Sequence, residues 1–501
     1  MTAVVQQWTS TQARNAAMAI VRTLRGKGHT AYFAGGCVRD ALLGAEPVDF
    51  DIATSARPEQ VQTLFRQTAA VGASFGVVLV REQGVTVEVA TFRSDGPYSD
   101  KRRPDRVEFA DAEHDAQRRD FTINALFLDP LVGGPALRAG RGGSAFQTEE
   151  DVGDGSERHG SASGATKTHG SESRATGNDV PGIIDFVGGL DDLRAGLIRA
   201  VGDPEQRLAE DHLRALRAVR FAARYRFEIE PTTAAAIGAH ATDLAGVSCE
   251  RIGEEFRRMM DHPSRARAVG LLKKLGLDGV LLGEGGGGAG DEGSVLAALQ
   301  SPGLQAGGMS EKHRGAQTDP LPTEVGGSEG GGASEGRVSF ASCLAAIAFD
   351  RAEVGSPAMI PALVRRWRKS LCLTNDESTR LRDVLFGVTE MATAWQNLPL
   401  SHRKRRAASL WFEEALAVTA ARDPRLGSTI RADVEELAAD GIGLAPPPLL
   451  DGTDLLGLGL EPGPVFALVL TAVYDAQLEG RVQQKADALA LAAELGGSGG
   501  V

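Results

Sequence analysis

Aromatic side chains make up only 5% of this 501-residue chain, so flat surfaces on which bases could stack are few and local. Cysteine is scarcer still. Cys37, Cys249, Cys343 and Cys372 are scattered with no CxxC spacing, which argues against a zinc site and against a disulfide framework. No apolar run is long enough to cross a membrane, and residues 1–16 lack an apolar stretch flanked by positive charge. The expectation is a cytoplasmic protein with no signal peptide and no membrane partner. Positive charge is in deficit, with 54 Lys and Arg against 66 Asp and Glu and a net charge of −12. A nucleic-acid binder ordinarily carries a basic face, so the balance weighs against a uniformly basic protein and leaves local patches open.

Glycine, by contrast, is abundant at 62 residues, and the excess is concentrated. Residues 131–180 and 284–338 are rich in Gly, Ser and Thr and poor in large apolar side chains. Such segments bury too little surface to offset their ordering entropy, and both read as disordered insertions. The chain is long enough for roughly three or four units. Before the first insertion, helical and strand patterns alternate. Ala17, Ile20, Val21 and Leu24 share a helical face over 12–28. Strands follow at 30–34 and 48–53, helices at 38–43 and 58–66, and a hairpin at 76–81 and 85–92 around Gly84. Beyond residue 180 the chain reads as almost wholly helical. The fold class is therefore α+β: a small mixed sheet with helices, then helical domains. The expected divisions are a head over 1–130, the insertion 131–180, the end of the head and a helical neck over 181–262, a helical body over 263–400 interrupted by 284–338, and a helical tail over 401–501.

The chemistry concentrates in five places. Asp49 and Asp51, two apart on a strand, point to one face while Phe50 and Ile52 point to the core. Paired carboxylates repel unless a cation neutralises them, and hard oxygens suit magnesium. A bare DxD is more often a solvated strand edge. Gly35-Gly36 stands at a strand-to-helix junction where a backbone can approach a phosphate, with Arg39 one turn on. Glu88 is a candidate third carboxylate from the hairpin, or else a cross-strand partner of an arginine. Arg118, Arg119 and Asp120 can grip a phosphate and a ribose hydroxyl, or simply cap a helix. Asp211, Arg214, Arg217 and Arg220 follow a spacing of three, preceded by Glu210. That row can read the edge of a base and hold phosphate, or can be a structural ion-pair ladder. Glu250 and Glu254 are expected to buttress it.

In order along the chain, GGCVRDALLG, DFDIAT, VEVATFR, RRDFTINAL, EDHLRALRAVRFAAR and ERIGEEF resemble the motifs of class II, bacterial-type CCA-adding tRNA nucleotidyltransferases, a family shared with bacterial poly(A) polymerases. The likeness is dense over 30–130 and 182–260 and fainter over 449–492. It implies a polymerase-β-like nucleotidyltransferase head followed by helical neck, body and a tRNA-binding tail. It implies metal binding, by Mg2+, at Asp49 and Asp51. It also implies nucleotide contacts at Gly35, Gly36, Arg39, Arg119, Asp211, Arg214, Arg217 and Arg220, with Asp120 on the ribose. The substrates implied are tRNA, CTP and ATP, and no protein partner is implied. Residues 93–107, with Tyr98, Arg102, Arg103 and Pro104, match the flexible loop that family members use in switching from C to A addition. The two insertions depart from the family pattern, and no His-Asp dipeptide in the C-terminal half marks a phosphohydrolase.

Three readings compete. One is an A-adding or CC-adding tRNA specialist, and the near-complete loop disfavours CC-only addition while leaving A-only addition open. Poly(A) polymerases usually carry a basic, Arg- and Phe-rich segment after the DxD strand, where this chain has VGASFGVVLV. A catalytically inactive RNA-binding protein would be free to lose Asp49, Asp51 or Asp120, and all three are present. Arg365–Lys369 and His402–Arg406 are basic patches suited to RNA phosphates or to a solvated helix face.

Overall fold

The computed structural model describes residues 10–47, 49–70, 76–96, 107–132, 180–283, 294–299 and 338–497. Two compact units make up the chain, Met1–Val247 and Ser248–Val501. Most of the two expected insertions, and the loop residues Tyr98, Arg102, Arg103 and Pro104, lie outside the described residues.

In the first unit the apolar face read from the sequence forms helix α1 (Ser10–Gly26). Ala17, Ile20, Val21 and Leu24 are all completely buried. Strand β1 (Ala31–Ala34) runs through Gly35 into α2 (Gly36–Leu42). Then come β2 (Asp51–Thr54), α3 (Pro58–Leu64) and β3 (Thr68–Ala69). The expected hairpin is β4 (Val77–Glu82) and β5 (Val85–Thr91). Its two-residue turn, Gln83 and Gly84, has φ of 49° and 80°, the left-handed pair that matches the twist of the flanking strands. A separate ribbon pairs β6 (Arg93–Asp95) with β7 (Val107–Phe109), and α4 (Ala112–Gln117) follows.

The segment Phe121–Leu128 passes through a short 3-10 turn at Thr122–Asn124 into β8 (Phe127–Leu128). The chain returns after the first insertion as β9 (Ile183–Ile184), which completes a seven-stranded sheet of order β3-β4-β5-β2-β1-β8-β9. Next are α5 (Gly189–Ala195), β10 (Leu197–Ile198), α6 (Pro204–Glu210), α7 (Leu213–Tyr225), β11 (Glu228–Ile229) and α8 (Pro231–Ala239). With β9, three strands thus fall in a region expected to be almost wholly helical. Each has two residues, too few to show a period, and each exists by pairing with a distant partner: β9 with β8, and β10 with β11. In the large sheet β2 and β5 run parallel with Ile52 opposite Val89. One step back on both strands, that register sets Asp51 beside Glu88.

The second unit is all helical: α9 (Cys249–Met260), α10 (Arg265–Lys274), α11 (Asp278–Leu282), α12 (Ser294–Ala298), α13 (Phe340–Asp350), α14 (Ile360–Leu371), α15 (Asn375–Thr393), α16 (Leu400–Ala407), α17 (Phe412–Arg422), α18 (Pro424–Ala439), α19 (Gly452–Gly457), α20 (Pro464–Leu478) and α21 (Lys485–Gly497). Two differences from expectation stand out. Helix α12 falls inside the segment read as a disordered insertion. It forms because Leu296 is fully buried, worth roughly 1.5–3 kcal/mol. Asp350 also accepts the N–H groups of Val295 and Leu296 at 3.0 and 3.3 Å. Helix α9, within the expected neck range of 181–262, falls in the second unit, where Ile252, Phe256, Met259 and Met260 bury its apolar face. Glu254 pairs with Arg258 of its own helix. Among the described residues no helix is long and apolar enough to cross a membrane.

Candidate active site

The acidic centre is built by β2 and its neighbours. The strand begins at Asp51, not at 48, so Asp49 sits just ahead of it. Val48 lies outside the described residues. Phe50 still anchors the inward face, 6% exposed and edge-on to Phe33 with ring centroids 5.2 Å apart. Asp49 and Asp51 are therefore exposed on the other side. The pKa of Asp51 is pushed up to about 6, first by the protein crowded around it and then by the charges of Glu88 and Asp49, with Arg119 opposing. Asp51 thus keeps accessible surface while standing in an excess of negative charge. The other side of the pair is α2. Burial and the nearby Asp51 push the Cys37 thiol up to about 12, which places the first turn after the Gly-Gly pair directly against β2.

Gly35 turns the chain with φ of 68°, a conformation that L residues with a Cβ resist. A Cβ there would also lie 2.9 Å from Arg119 Nη1. The missing side chain is what lets the Arg119 guanidinium lie across the junction. Arg119 is held there by Asp115 at 3.1 Å, by the carbonyl of Asn124 at 2.9 Å, and over the face of Phe127 at 4.9 Å. The first helical residue, Gly36, sits beside Arg39. Asp115 is 1% exposed and also accepts two hydrogen bonds from Arg118, at 2.9 and 2.6 Å. One buried carboxylate therefore aims both arginines, and sequence reasoning missed it.

Arg39 and Asp120 are each held by partners within the fold. Arg39, expected to touch a triphosphate, is 6% exposed. It donates to Asp40 and Asn124 and lies 4.7 Å over the ring of Tyr225, whose hydroxyl donates to Asp40 at 2.9 Å. It braces α2 against α7. Asp120, expected on a ribose, accepts Phe121 N–H at 2.8 Å and Asn124 at 3.1 Å on one oxygen. Its other oxygen accepts Arg217 Nε and Nη2 at 2.9 and 2.6 Å. A carboxylate offers about four acceptor positions, and these are filled. Burial pushes the Asp120 carboxyl up, yet the Arg217 charge and the hydrogen bonds outweigh it and hold it down at about 2.

The row at spacing three is broken at its start. Asp211 is extended, φ −154° and ψ 102°, so it occupies the turn between α6 and α7 and accepts the N–H of Leu213 at 3.1 Å. Arg214, Arg217 and Arg220 do lie on α7. Arg214 is 8% exposed, and its Nη1 donates to Glu210 and to the carbonyl of Arg207, both at 2.6 Å. Arg207 shares that Glu210 at 2.9 Å and reaches the carbonyl of Gln117 at 2.7 Å. It ties α6 to the loop carrying Arg118 and Arg119 and was not foreseen. Arg220 lies 4.4 Å over Phe221. The acidic centre and the arginine wall thus belong to one unit, joined through Arg119 and the Asp120–Arg217 pair.

Residues 31–137 match the family model described as the poly A polymerase head domain, and residues 226–284 match one described as a probable RNA and SrmB-binding site of polymerase A. Relatives include the CCA-adding enzyme of Geobacillus stearothermophilus, 37% identical over 271 residues, or 54% of this chain and 55% of that protein. The CCA-adding enzyme of Lacticaseibacillus paracasei is 38% identical over 246 residues, 49% of this chain and 50% of that one. Over these segments the chain is similar to poly(A) polymerases and CCA-adding enzymes.

It spans about half the length of the curated relatives it matches. Over the whole length, its fold is similar to the crystal structure of the Bacillus stearothermophilus CCA-adding enzyme in complex with CTP. The TM-score is 0.64 at 26% identity, with 96% of each chain covered. The Thermotoga maritima CCA-adding enzyme complexed with tRNA shares the fold at TM-score 0.59 and 16% identity, covering 98% of this chain and 97% of that one. The small mixed-sheet head and the helical C-terminal region expected from the sequence are what the fold shares with these structures.

Proposed function

We propose that this protein is a tRNA nucleotidyltransferase that adds CCA to the tRNA 3′ end from CTP and ATP, without a template. The observation that carries this reading is the joining of an acidic centre, Asp49, Asp51 and Glu88, to a rigid arginine wall through Arg119. The CTP complex of the Bacillus stearothermophilus enzyme, similar over 96% of the chain, supports the choice of substrate.

Asp49 and Asp51 fit a divalent cation, because hard oxygens stand in an excess of negative charge that Arg119 only partly offsets. They would hold Mg2+, with Glu88 beside them. Two such ions, when bound, supply charge neutralisation for the attacking and leaving oxygens. The tRNA 3′-hydroxyl attacks the α-phosphate of the nucleotide in line, and pyrophosphate leaves. Arg119, laid over Gly35 and Gly36, grips the triphosphate. Asp211, pinned by the Leu213 N–H, accepts from the exocyclic amine of cytosine or adenine, and Arg214 donates to the neighbouring ring acceptors. Asp120, Arg217 and Arg39 position these groups rather than touch the nucleotide, and Arg220 lines the same helix. The tRNA substrate implies a cytoplasmic protein.

The test supplies labelled CTP and ATP, singly and together, to tRNA ending at the discriminator base, at C and at CC. The expected products are two C residues followed by one A, with extension stopping there. Addition of A alone to the CC-ending tRNA would make the protein an A-adding specialist. Long A tails on any RNA would make it a poly(A) polymerase.

A further inference from the structure

Four cysteines without any motif spacing nevertheless meet in pairs only once among the described residues. Cys249 opens α9 and Cys372 closes α14, and their sulfurs lie within 4.8 Å of one another and of the Glu250 carboxylate. Both are partly exposed, whereas Cys37 and Cys343 are buried at 5% and 0%. The two helix ends are held together independently of the thiols. At Gly253 a Cβ would fall 2.1 Å from the Leu371 carbonyl oxygen, so only glycine admits this approach. Arg257 donates to the Cys372 carbonyl at 3.2 Å and to Glu377 at 2.7 Å. Both cysteines belong to the second unit.

We propose that Cys249 and Cys372 are a reversible dithiol site that small-molecule disulfides oxidise, covalently linking the first turn of α9 to the end of α14. The sulfurs stand within 4.8 Å of one another, and the Gly253–Leu371 approach and the Arg257 hydrogen bonds, none of which uses a thiol, hold the two helix ends together. The two thiols are not equivalent. The Cys372 thiol is pushed up to about 11, first by its hydrogen bond with Cys249 and then by burial. Cys249 stands in the first turn of α9 and Cys372 at the C-terminal end of α14, and nucleophilic cysteines favour helix N-termini, so in the proposed sequence Cys249 attacks first. The Glu250 carboxyl is lowered, first by its own backbone N–H and then by Ser248, Cys249 and Cys372, so it accepts from both thiols.

In the first step Cys249 attacks a disulfide RSSR, a mixed disulfide forms, and one RSH leaves. Cys372 then attacks the Cys249 sulfur and releases the second RSH. Two thiols are oxidised and one external disulfide is reduced. A thiol reductant reverses the sequence. Two thiolates and a carboxylate could instead gather a soft metal, but that requires the Cys372 proton to be lost.

The experiment exposes the full chain to oxidised glutathione and reads native free thiols, intact mass and a non-reduced peptide map. The expected result is loss of the two accessible thiols, no retained glutathione, and a Cys249–Cys372 linked peptide. Closing so long a loop should raise Tm by roughly 5–10 °C relative to the reduced protein. Cys372→Ser should retain one glutathione on Cys249, which shows that Cys372 is the resolving thiol. Persistent glutathionylation of the native protein without a linked peptide would overturn the proposal. So would four thiols that survive oxidant, or two that are protected only when zinc is added.

Discussion

At Gly35 a single methyl would meet two objections at once. The φ of 68° disfavours any L side chain by roughly 1–2 kcal/mol, and the new Cβ would push Arg119 out of its place. Gly35→Ala should therefore raise KM for CTP and ATP more than it lowers stability. Steady-state kinetics beside thermal denaturation separates the two, and an unchanged KM would remove Arg119 from the triphosphate. Asp211 allows a sharper statement. Its carboxylate is oriented by the Leu213 N–H and makes no helix of its own, so truncation leaves α7 intact. A good base contact is worth about 1–3 kcal/mol of discrimination. Asp211→Ala should reduce selectivity among the four nucleotides by roughly tenfold to hundredfold while total turnover falls less. Preserved selectivity would take base reading away from this residue.

Among elements, the decisive link is between the loop after α4 and helix α7, made by Asp120 and Arg217. Asp120 titrates at about 2 in the fold against an ordinary value near 3.9. A lowered carboxylate stabilises the fold above its unfolded pKa, and that contribution is lost as pH falls through the folded value. The window is therefore about pH 4 to 2, and the contribution is on the order of 2 kcal/mol. Asp120→Asn should be less stable near neutrality and should flatten the acid limb of the stability profile, as read by denaturant unfolding across that range. A parallel, unflattened limb would mean that the ion pair contributes nothing there.

Elements of this kind mark the boundary of what was legible in the sequence. The α1 face and the β4–β5 alternation could be read because each carries several turns of a period. The two-residue strands β8 to β11 have no period, and α12 depends on Asp350, more than fifty residues away. The site divides in the same way. Residue type and spacing pointed to Asp49, Asp51 and Arg119. The roles of Asp115, Arg207 and Asn124 arise only from tertiary neighbours. The same neighbours turn Arg39 and Asp120 into braces.

For the molecule as a whole, a net charge of −12 has to be reconciled with the proposed RNA substrate, and four cations of the C-terminal basic patch are paired within the fold. On α16, Arg403 pairs with Asp433, Lys404 with Asp440, Arg405 with Asp475 and Arg406 with Glu390. Lys404 is fully buried. These cations join α16 to α15, α18 and α20 and act as internal ties. Arg405→Ala should lower Tm by roughly 2–4 °C and leave the salt dependence of tRNA binding unchanged. A drop of about one in the salt slope with Tm unaltered would instead make Arg405 a phosphate contact. The central claim is that the acidic centre on β2 performs nucleotidyl transfer. Its most direct test is single-turnover CMP incorporation by Asp51→Ala, with tRNA affinity measured on the same preparation. The account predicts a fall of at least about a hundredfold in rate with tRNA affinity within roughly threefold of the parent, and incorporation near the parent rate would contradict it.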